Sequence, residues 1–323
     1  MNLTINQELT QIEAPRPTVR ALLEERNMPQ KAVVVAVNGE VLRREEWEDR
    51  RLQEGDEVEV VRAVAGGGGE DDLVISGECF SSRLILGTGK YPDLETMNAA
   101  LENSGTEMVT VAIRYMNAPE EGSILEHLDL SRYRLLPNTA GATDVEGALK
   151  MARLAREATG TNWLKLEIIG ERDTLWPDTA ATVEATKLLV EEGFVVLPYT
   201  SPDLVAALRL EEAGAATVMP LGSPIGSGQG MVDWASITRI VERVSVPVVV
   251  DAGIGVPSDA ALAMELGADA ALINTAVARA DDPPRMAEAM RLGVRAGRLA
   301  YLAGRMPVSA VAHPSSPTRG VPA

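Results

Sequence analysis

Three charged side chains stand where a purely structural strand would carry aliphatics. In "WLKLEIIG", residues 163–170, Lys165 and Glu167 interrupt an apolar run two positions apart, and the period of a strand points both to one face. Leu164, Leu166 and Ile168 then take the other face, toward covering helices. A lysine on an enclosed face is costly unless it is paired or neutral. The pair reads either as a buried ion pair on one strand or as an amine that desolvation prepares to attack a carbonyl, forming an imine. On the second reading an ionised Glu167 raises the lysine pKa and opposes attack, so its work is proton transfer after imine formation. The third charge is Asp251 in "VPVVVDAGIG". It ends an apolar strand and precedes Gly253 and Gly255, as a proton shuttle opposite Lys165 or as a loop cap.

Beside these residues lie turns made of small side chains: "PLGSPIGSGQG", "DAGIG" and "LINTAVA". Turns of that kind expose backbone N–H groups that can hold a phosphate. The elements needed to bring all of this together are legible. From residue 72 onward the candidate strands are "RLILGTG", "MVTVAIRY", "RLLPNTAG", "WLKLEIIG", "FVVLPYT", "ATVMPLG", "PVVVDAGIG" and "AALINTAVA". Amphipathic stretches such as "DVEGALKMARLAREATG" and "TAATVEATKLLVEEG" separate most of them and several end at Gly, as helix C-termini do. Eight strands alternating with helices fit a closed (β/α)8 barrel of the TIM type, whose chemistry sits at the C-terminal strand ends. The competing open doubly wound sheet lacks support: the first strand-to-helix turn, "GTGKYPDL", carries no G-x-G-x-x-G. Nor is it a nucleotide-hydrolase phosphate loop, since Lys90 is followed by Tyr91 and no Gly stands at Leu84.

Residues 1–65 read as a small α+β unit ahead of the barrel. "NLTINQELTQIE" suits a hairpin, "TVRALLEERNM" places Val19, Leu22 and Leu23 on one helical face, and Asn38-Gly39 marks a tight turn. In "LQEGDEVEVVRAV" Val58 and Val60 alternate with Glu57 and Glu59. Hairpin, helix, strand, strand is the order of a β-grasp, ubiquitin-like domain. A junction at 66–72 contains Gly66–Gly69, the barrel runs over 73–307, and 308–323 is a Pro- and Ser-rich tail expected to be mobile or to order over a site.

Composition narrows the function. The chain has 323 residues, a formal charge of −17, 46% hydrophobic and 3% aromatic residues. Such a charge argues against nucleic acid as partner, yet a small phosphorylated substrate held by backbone N–H groups stays open. One cysteine, Cys79, precludes an intramolecular disulfide, and two histidines far apart, His127 and His313, make a zinc site improbable. No segment reads as a signal peptide or membrane span, so a cytoplasmic setting is expected.

Taken in order, "SRLILGTGKY", "LPNTAG", "NWLKLEIIG", "LVEEGFVVLPY", "LEEAGAATVMPLGSPIGSGQG", "VPVVVDAGIGVPSDAALAMELGADAALINTAVA" and "DDPPRMAEAMRLGVRAGRLAYLAGR" resemble the thiazole synthases of thiamine biosynthesis, over about residues 73–307. The strand running into Gly66-Gly67 resembles the thiamine sulfur carrier, whose terminal Gly-Gly is activated by an adenylating enzyme and becomes a thiocarboxylate. The resemblance implies that Lys165 forms an imine with 1-deoxy-D-xylulose 5-phosphate and that Glu167 and Asp251 serve as acid and base. It assigns substrate and phosphate contacts to Gly226, Ala252, Gly253, Asn274 and Thr275. It implies sulfur from the carrier thiocarboxylate, ring closure with dehydroglycine, no metal, no organic cofactor, and a homo-oligomer that docks the carrier. Many relatives carry a cysteine just after "NTAG"; here the residue is Ala142. The rivals are another imine-forming sugar-phosphate barrel, such as an aldolase or pyridoxal phosphate synthase, and a non-catalytic carrier and scaffold fusion. The glycine run itself stays open between a flexible joint and a carrier terminus. Gly68, Gly69 and Glu70 follow it, so a free carboxylate requires cleavage. Otherwise the domain is a docking module, or a separate carrier serves the barrel.

Overall fold

A computed structural model describes residues 2–6, 8–12, 17–25, 33–62, 71–112 and 124–313. Gly66 and Gly67 lie outside the described residues, as do the last ten positions of the tail.

The N-terminal sheet has five strands, β1 (Asn2–Ile5), β2 (Glu8–Gln11), β3 (Val33–Val37), β4 (Glu40–Leu42) and β5 (Glu57–Arg62), with helix α1 (Val19–Glu25). Their order is β2-β1-β5-β3-β4, with β1 and β5 parallel and the other pairs antiparallel. That is a β-grasp sheet. Its turn at Asn38 and Gly39 has positive φ at both positions, 54° and 81°, the backbone that a two-residue hairpin demands. Leu3, Val19, Leu22, Leu23, Val35, Val37 and Val58 form its core, while Glu57 and Glu59 face solvent.

A hairpin of β6 (Leu73–Ile75) and β7 (Glu78–Phe80) follows, a feature with no counterpart among the expected elements. The barrel strands come next: β8 (Leu84–Gly87), β9 (Met108–Ala112), β10 (Arg134–Asn138), β11 (Trp163–Leu166), β14 (Val195–Thr200), β15 (Met219–Pro220), β16 (Val249–Asp251) and β17 (Ala270–Ile273); β12 (Ile169–Glu171) and β13 (Trp176–Pro177) form a small antiparallel pair after β11. The eight parallel strands run β15-β14-β11-β10-β9-β8-β17-β16, and the bridges Val218–Val248 and Leu221–Asp251 draw β15 to β16 and close the ring. The strand expected across 163–170 therefore ends sooner, and its last residues enter the β12–β13 pair. "LINTAVA" is likewise not a plain turn: β17 gives way to a short helix, α8 (Thr275–Ala278).

Helices α2 (Leu94–Ser104), α3 (Val145–Thr159), α4 (Thr179–Glu191), α5 (Leu204–Glu212), α6 (Trp234–Arg243), α7 (Pro257–Glu265) and α9 (Pro283–Ala303) cover the outside. Six of these seven begin with an aspartate whose carboxylate accepts a first-turn backbone N–H: Asp93, Asp144, Asp178, Asp203, Asp233 and Asp282. Each cap satisfies a donor that the helix leaves open and places a negative charge at the positive end of its dipole.

Strand alternation divides the barrel's apolar side chains between two layers. Leu164, Leu166, Ile168 and Val196 pack against α3 and α4. Ile85, Met108, Leu136, Trp163, Leu197, Met219, Val249 and Leu272 fill the lumen instead, joined from below by Leu73, Ile75 and Phe80 of the hairpin. The Phe80 and Trp163 rings meet edge to face at 5.9 Å. The barrel is thus sealed at the N-terminal end of its strands and open only at the other.

Candidate active site

At the open end the side chain of Lys165 follows Trp163 on the lumen face of β11. Its Nζ lies 2.9 Å from Glu167 Oε1 and 2.6 Å from Asp251 Oδ2. The three residues are 5%, 6% and 2% exposed, so little water screens them. Lys165 is level with Leu197 on one side and Asn138 on the other, and Tyr199, two residues beyond Leu197, turns its ring toward the ammonium at 5.7 Å.

Electrostatics in this cluster oppose one another. Burial by itself would lower the Lys165 pKa, but Asp251 and then Glu167 outweigh it, leaving the ammonium held above the ordinary lysine value. Asp251 moves up from the usual carboxylate range because burial disfavours its charge; Lys165 pulls the other way and Glu167 reinforces the rise. Burial, with Asp251 and Glu167, also raises the Tyr199 phenol. The ammonium is thus held protonated by two buried carboxylates, and it must be discharged before the amine can act as a nucleophile.

Backbone contacts fix the cluster's position. Glu167 lies just past the end of β11, where Thr139 replaces the ladder: its buried hydroxyl accepts from Glu167 N–H and donates to Glu167 O, both at 2.8 Å. After Asp251 the chain enters left-handed backbone at Ala252 (φ 64°) and Gly253 (φ 73°). The alanine is one of few non-glycine residues in that region, where a Cβ is strained. Gly253 is there for space as well, since a Cβ would stand 1.9 Å from Ser223 Oγ and 2.6 Å from Ser223 N and O. Gly222 N–H donates to Asp251 O at 3.0 Å and Gly230 N–H to Gly253 O at 2.8 Å, knitting the loop after β15 to that after β16.

Above the cluster is a cavity of about 910 Å³. Its wall includes Lys165, Glu167, Asp251, Gly226, Ala252, Gly253, Asn274 and Thr275, the eight barrel residues to which the sequence reading gave catalytic or substrate-binding roles. Asn274 is partly occupied elsewhere. With its amide oriented by its surroundings, it donates to Gly89 O at 2.9 Å and Gly87 O at 3.2 Å, clasping β17 to the end of β8. Ala142 is buried against α3 residues. Among the described residues no group of three or more His, Cys, Asp and Glu side chains is arranged to hold a metal, and no helix is long and apolar enough to cross a membrane. His127 stands at the cavity's edge, and His313 lies exposed beside Ser309 Oγ at 3.0 Å.

Sequence reasoning passed over Thr139 and Tyr199. Tyr199 was within reach, because it shares the alternation of Leu197 in "FVVLPYT". Thr139 was not, since its value lies in a strand end that only the folded sheet defines.

Comparison with known proteins shows the family of each part of the chain. The model of the family "Thiazole biosynthesis protein ThiG" matches residues 74–317, and that of the "ThiS family" matches residues 3–67. A thiazole synthase of Paramagnetospirillum magneticum is 45% identical, with 99% of this chain and 100% of that protein covered. One from a Geobacillus strain is 56% identical over 75% of this chain and 96% of its own length. Among solved structures, the Amycolatopsis orientalis BexX/CysO complex contains a chain with TM-score 0.68 and 37% identity, covering 75% of this chain and 100% of that one.

Proposed function

Because this chain belongs to the thiazole synthase family of thiamine biosynthesis, with a ThiS-like domain fused ahead of the barrel, we propose that it builds the thiazole phosphate on Lys165 from 1-deoxy-D-xylulose 5-phosphate, dehydroglycine and carrier-borne sulfur. The observation that carries this reading is the position of the Lys165 amine, 2.6 and 2.9 Å from two buried carboxylates at the floor of the cavity.

A protonated amine cannot attack a carbonyl, so the ammonium must first surrender a proton. Asp251 is the acceptor: it is the nearer carboxylate and its affinity for protons is already raised. The transfer leaves the cluster's net charge at one negative, so no charge enters or leaves a site from which water is largely excluded. The neutral amine then adds to the keto group of the sugar phosphate. Loss of water, with a proton returned to the departing hydroxyl, gives the imine. Glu167 lies on the same face and removes or restores protons as the imine tautomerises. The sulfur of the thiocarboxylate then adds to the neighbouring carbonyl that tautomerisation creates, and the carrier leaves as its carboxylate with that carbonyl's oxygen. Condensation with dehydroglycine displaces the Lys165 amine, releases water and closes the ring. Gly226, Ala252, Gly253 and Thr275 border the space for the phosphate, with left-handed backbone at the first three.

The carrier terminus arrives from outside the barrel. Asp71, two residues past Gly69, is bound to Arg83 and Arg298, and Arg83 donates to Asp269 O at 2.6 Å. Arg83 and Asp269 both precede their strands, so this anchor is at the sealed end. A thiocarboxylate forms only at a free C-terminus, and Gly68 follows Gly67 in this chain, so on this reading sulfur reaches Lys165 from a carrier with a free glycine terminus, whether cleaved from this chain or separate.

The test is borohydride reduction with the sugar phosphate present, followed by peptide mass spectrometry. A reduced adduct on Lys165, lost in Lys165→Arg, is expected; trapping with a different sugar phosphate and not this one sinks the assignment.

A further inference from the structure

Lys90 occupies a place that the mechanism above does not use. It follows β8, whose neighbour in the ring is β17, and it is one of few non-glycine residues in left-handed backbone, at φ 72°. Its side chain lines the cavity. The nearest point of reference is Gly226: the position that a Cβ on that glycine would fill lies 3.9 Å from Lys90 Nζ and 3.6 Å from Thr275 Oγ1. An ammonium, a hydroxyl and a glycine turn therefore border one small volume, and glycine keeps that volume open.

Charge gives the volume its ligand class. The chain carries a net −17, and Lys90 is exposed, with no ion pair or hydrogen bond of its ammonium among the described residues. The carboxylates that line the cavity, Glu167 and Asp251, are committed to Lys165. A lysine at a cavity mouth, beside an exposed glycine turn and with no carboxylate partner among the described residues, suits a phosphate dianion as a point charge.

We propose that Lys90 binds the substrate's phosphate group, completing a subsite of which Gly226 and Thr275 form the rest. This rests on the sugar-phosphate reading given above. Lys90 is a binding residue rather than a catalytic one, because its ammonium stands at the Gly226 turn while the reacting amine is held by Glu167 and Asp251.

The experiment measures, by borohydride reduction and mass spectrometry, the sugar concentration that half-saturates adduct formation at Lys165. Wild type, Lys90→Met and Lys90→Arg are each given 1-deoxy-D-xylulose 5-phosphate and the same sugar without phosphate. Lys90→Met should raise the half-saturating concentration of the phosphorylated sugar by about tenfold and leave that of the free sugar unchanged, while Lys90→Arg recovers most of the loss. Equal saturation of Lys90→Met and wild type by the phosphorylated sugar overturns the proposal, and so does equal weakening with both sugars. If wild type forms no adduct with the phosphorylated sugar, the functional reading fails first and takes the Lys90 assignment with it.

Discussion

Replacing Asp251 with Asn separates the two things that Asp251 is proposed to do. The amide keeps the shape of the carboxylate but removes a negative charge 2.6 Å from Lys165 Nζ. At an effective dielectric of ~20 the lost attraction is ~6 kcal/mol. Glu167 remains at 2.9 Å and the cavity relaxes, so we take about half of that, ~3 kcal/mol, as the working figure. Burial, which lowers the lysine's proton affinity, is unchanged by the substitution. The fraction of Lys165 present as neutral amine at a fixed pH should then rise about 100-fold. The assay is reductive alkylation of Lys165 by a small aldehyde that lacks a phosphate, followed by peptide mass spectrometry between pH 7 and pH 9. In wild type the rate climbs about tenfold per pH unit through this range, because the ammonium is held above its ordinary value. The variant should label about 100-fold faster across this range. Thiazole formation should meanwhile fall by about 10²–10⁴, since the proton acceptor is gone. Labelling no faster than wild type, in a variant that melts normally, would refute the idea that Asp251 holds the lysine protonated.

Two other substitutions test the frame around the site. Gly253→Ala forces a Cβ to within 2.6 Å of Ser223 backbone atoms at a φ of 73°; trimming Ser223 cannot relieve that, and we expect a loss of about 3 kcal/mol in thermal or denaturant unfolding, together with loss of sugar-phosphate trapping. A wild-type melt would mean that the loops after β15 and β16 are not held as described. Asp71→Asn leaves the buried Arg83 guanidinium short of its partner and should cost about 2 kcal/mol, discounted for the partial exposure of Asp71. Burial raises the Asp71 pKa, but Arg298 and Arg83 more than reverse this and hold it below the ordinary value. Its contribution is therefore present above about pH 4 and disappears as pH falls through the depressed pKa. Melting curves of wild type and variant should converge in acid; a gap that widens there contradicts the ion-pair account. Intact mass of the untagged protein from its own cells checks the carrier: a fragment ending at one of Gly66–Gly69 means processing, and a single full-length species means that the glycines are a joint and that sulfur comes from a separate carrier or by another route.

What the sequence determined by itself was whatever depends on near neighbours along the chain. Alternation in "WLKLEIIG" placed Lys165 and Glu167 on the lumen face because successive strand residues point to opposite sides, and Leu164, Leu166 and Ile168 do pack on the helix side. Asn38-Gly39 made its turn for an equally local reason. The helix spans in 144–160 and 179–193 followed from their periodicity. Distances across the barrel are another matter. Asp251 meets Lys165 at 2.6 Å only because the bridges between β15 and β16 close the ring, and no local pattern specifies how a ring closes. The same closure sets Lys90 beside Gly226 and drives Gly253 against Ser223. The hairpin at 73–80, short and only partly alternating, became meaningful once Leu73, Ile75 and Phe80 sealed the lumen. Side-chain direction is a property of each strand, whereas which directions converge is a property of the closed barrel.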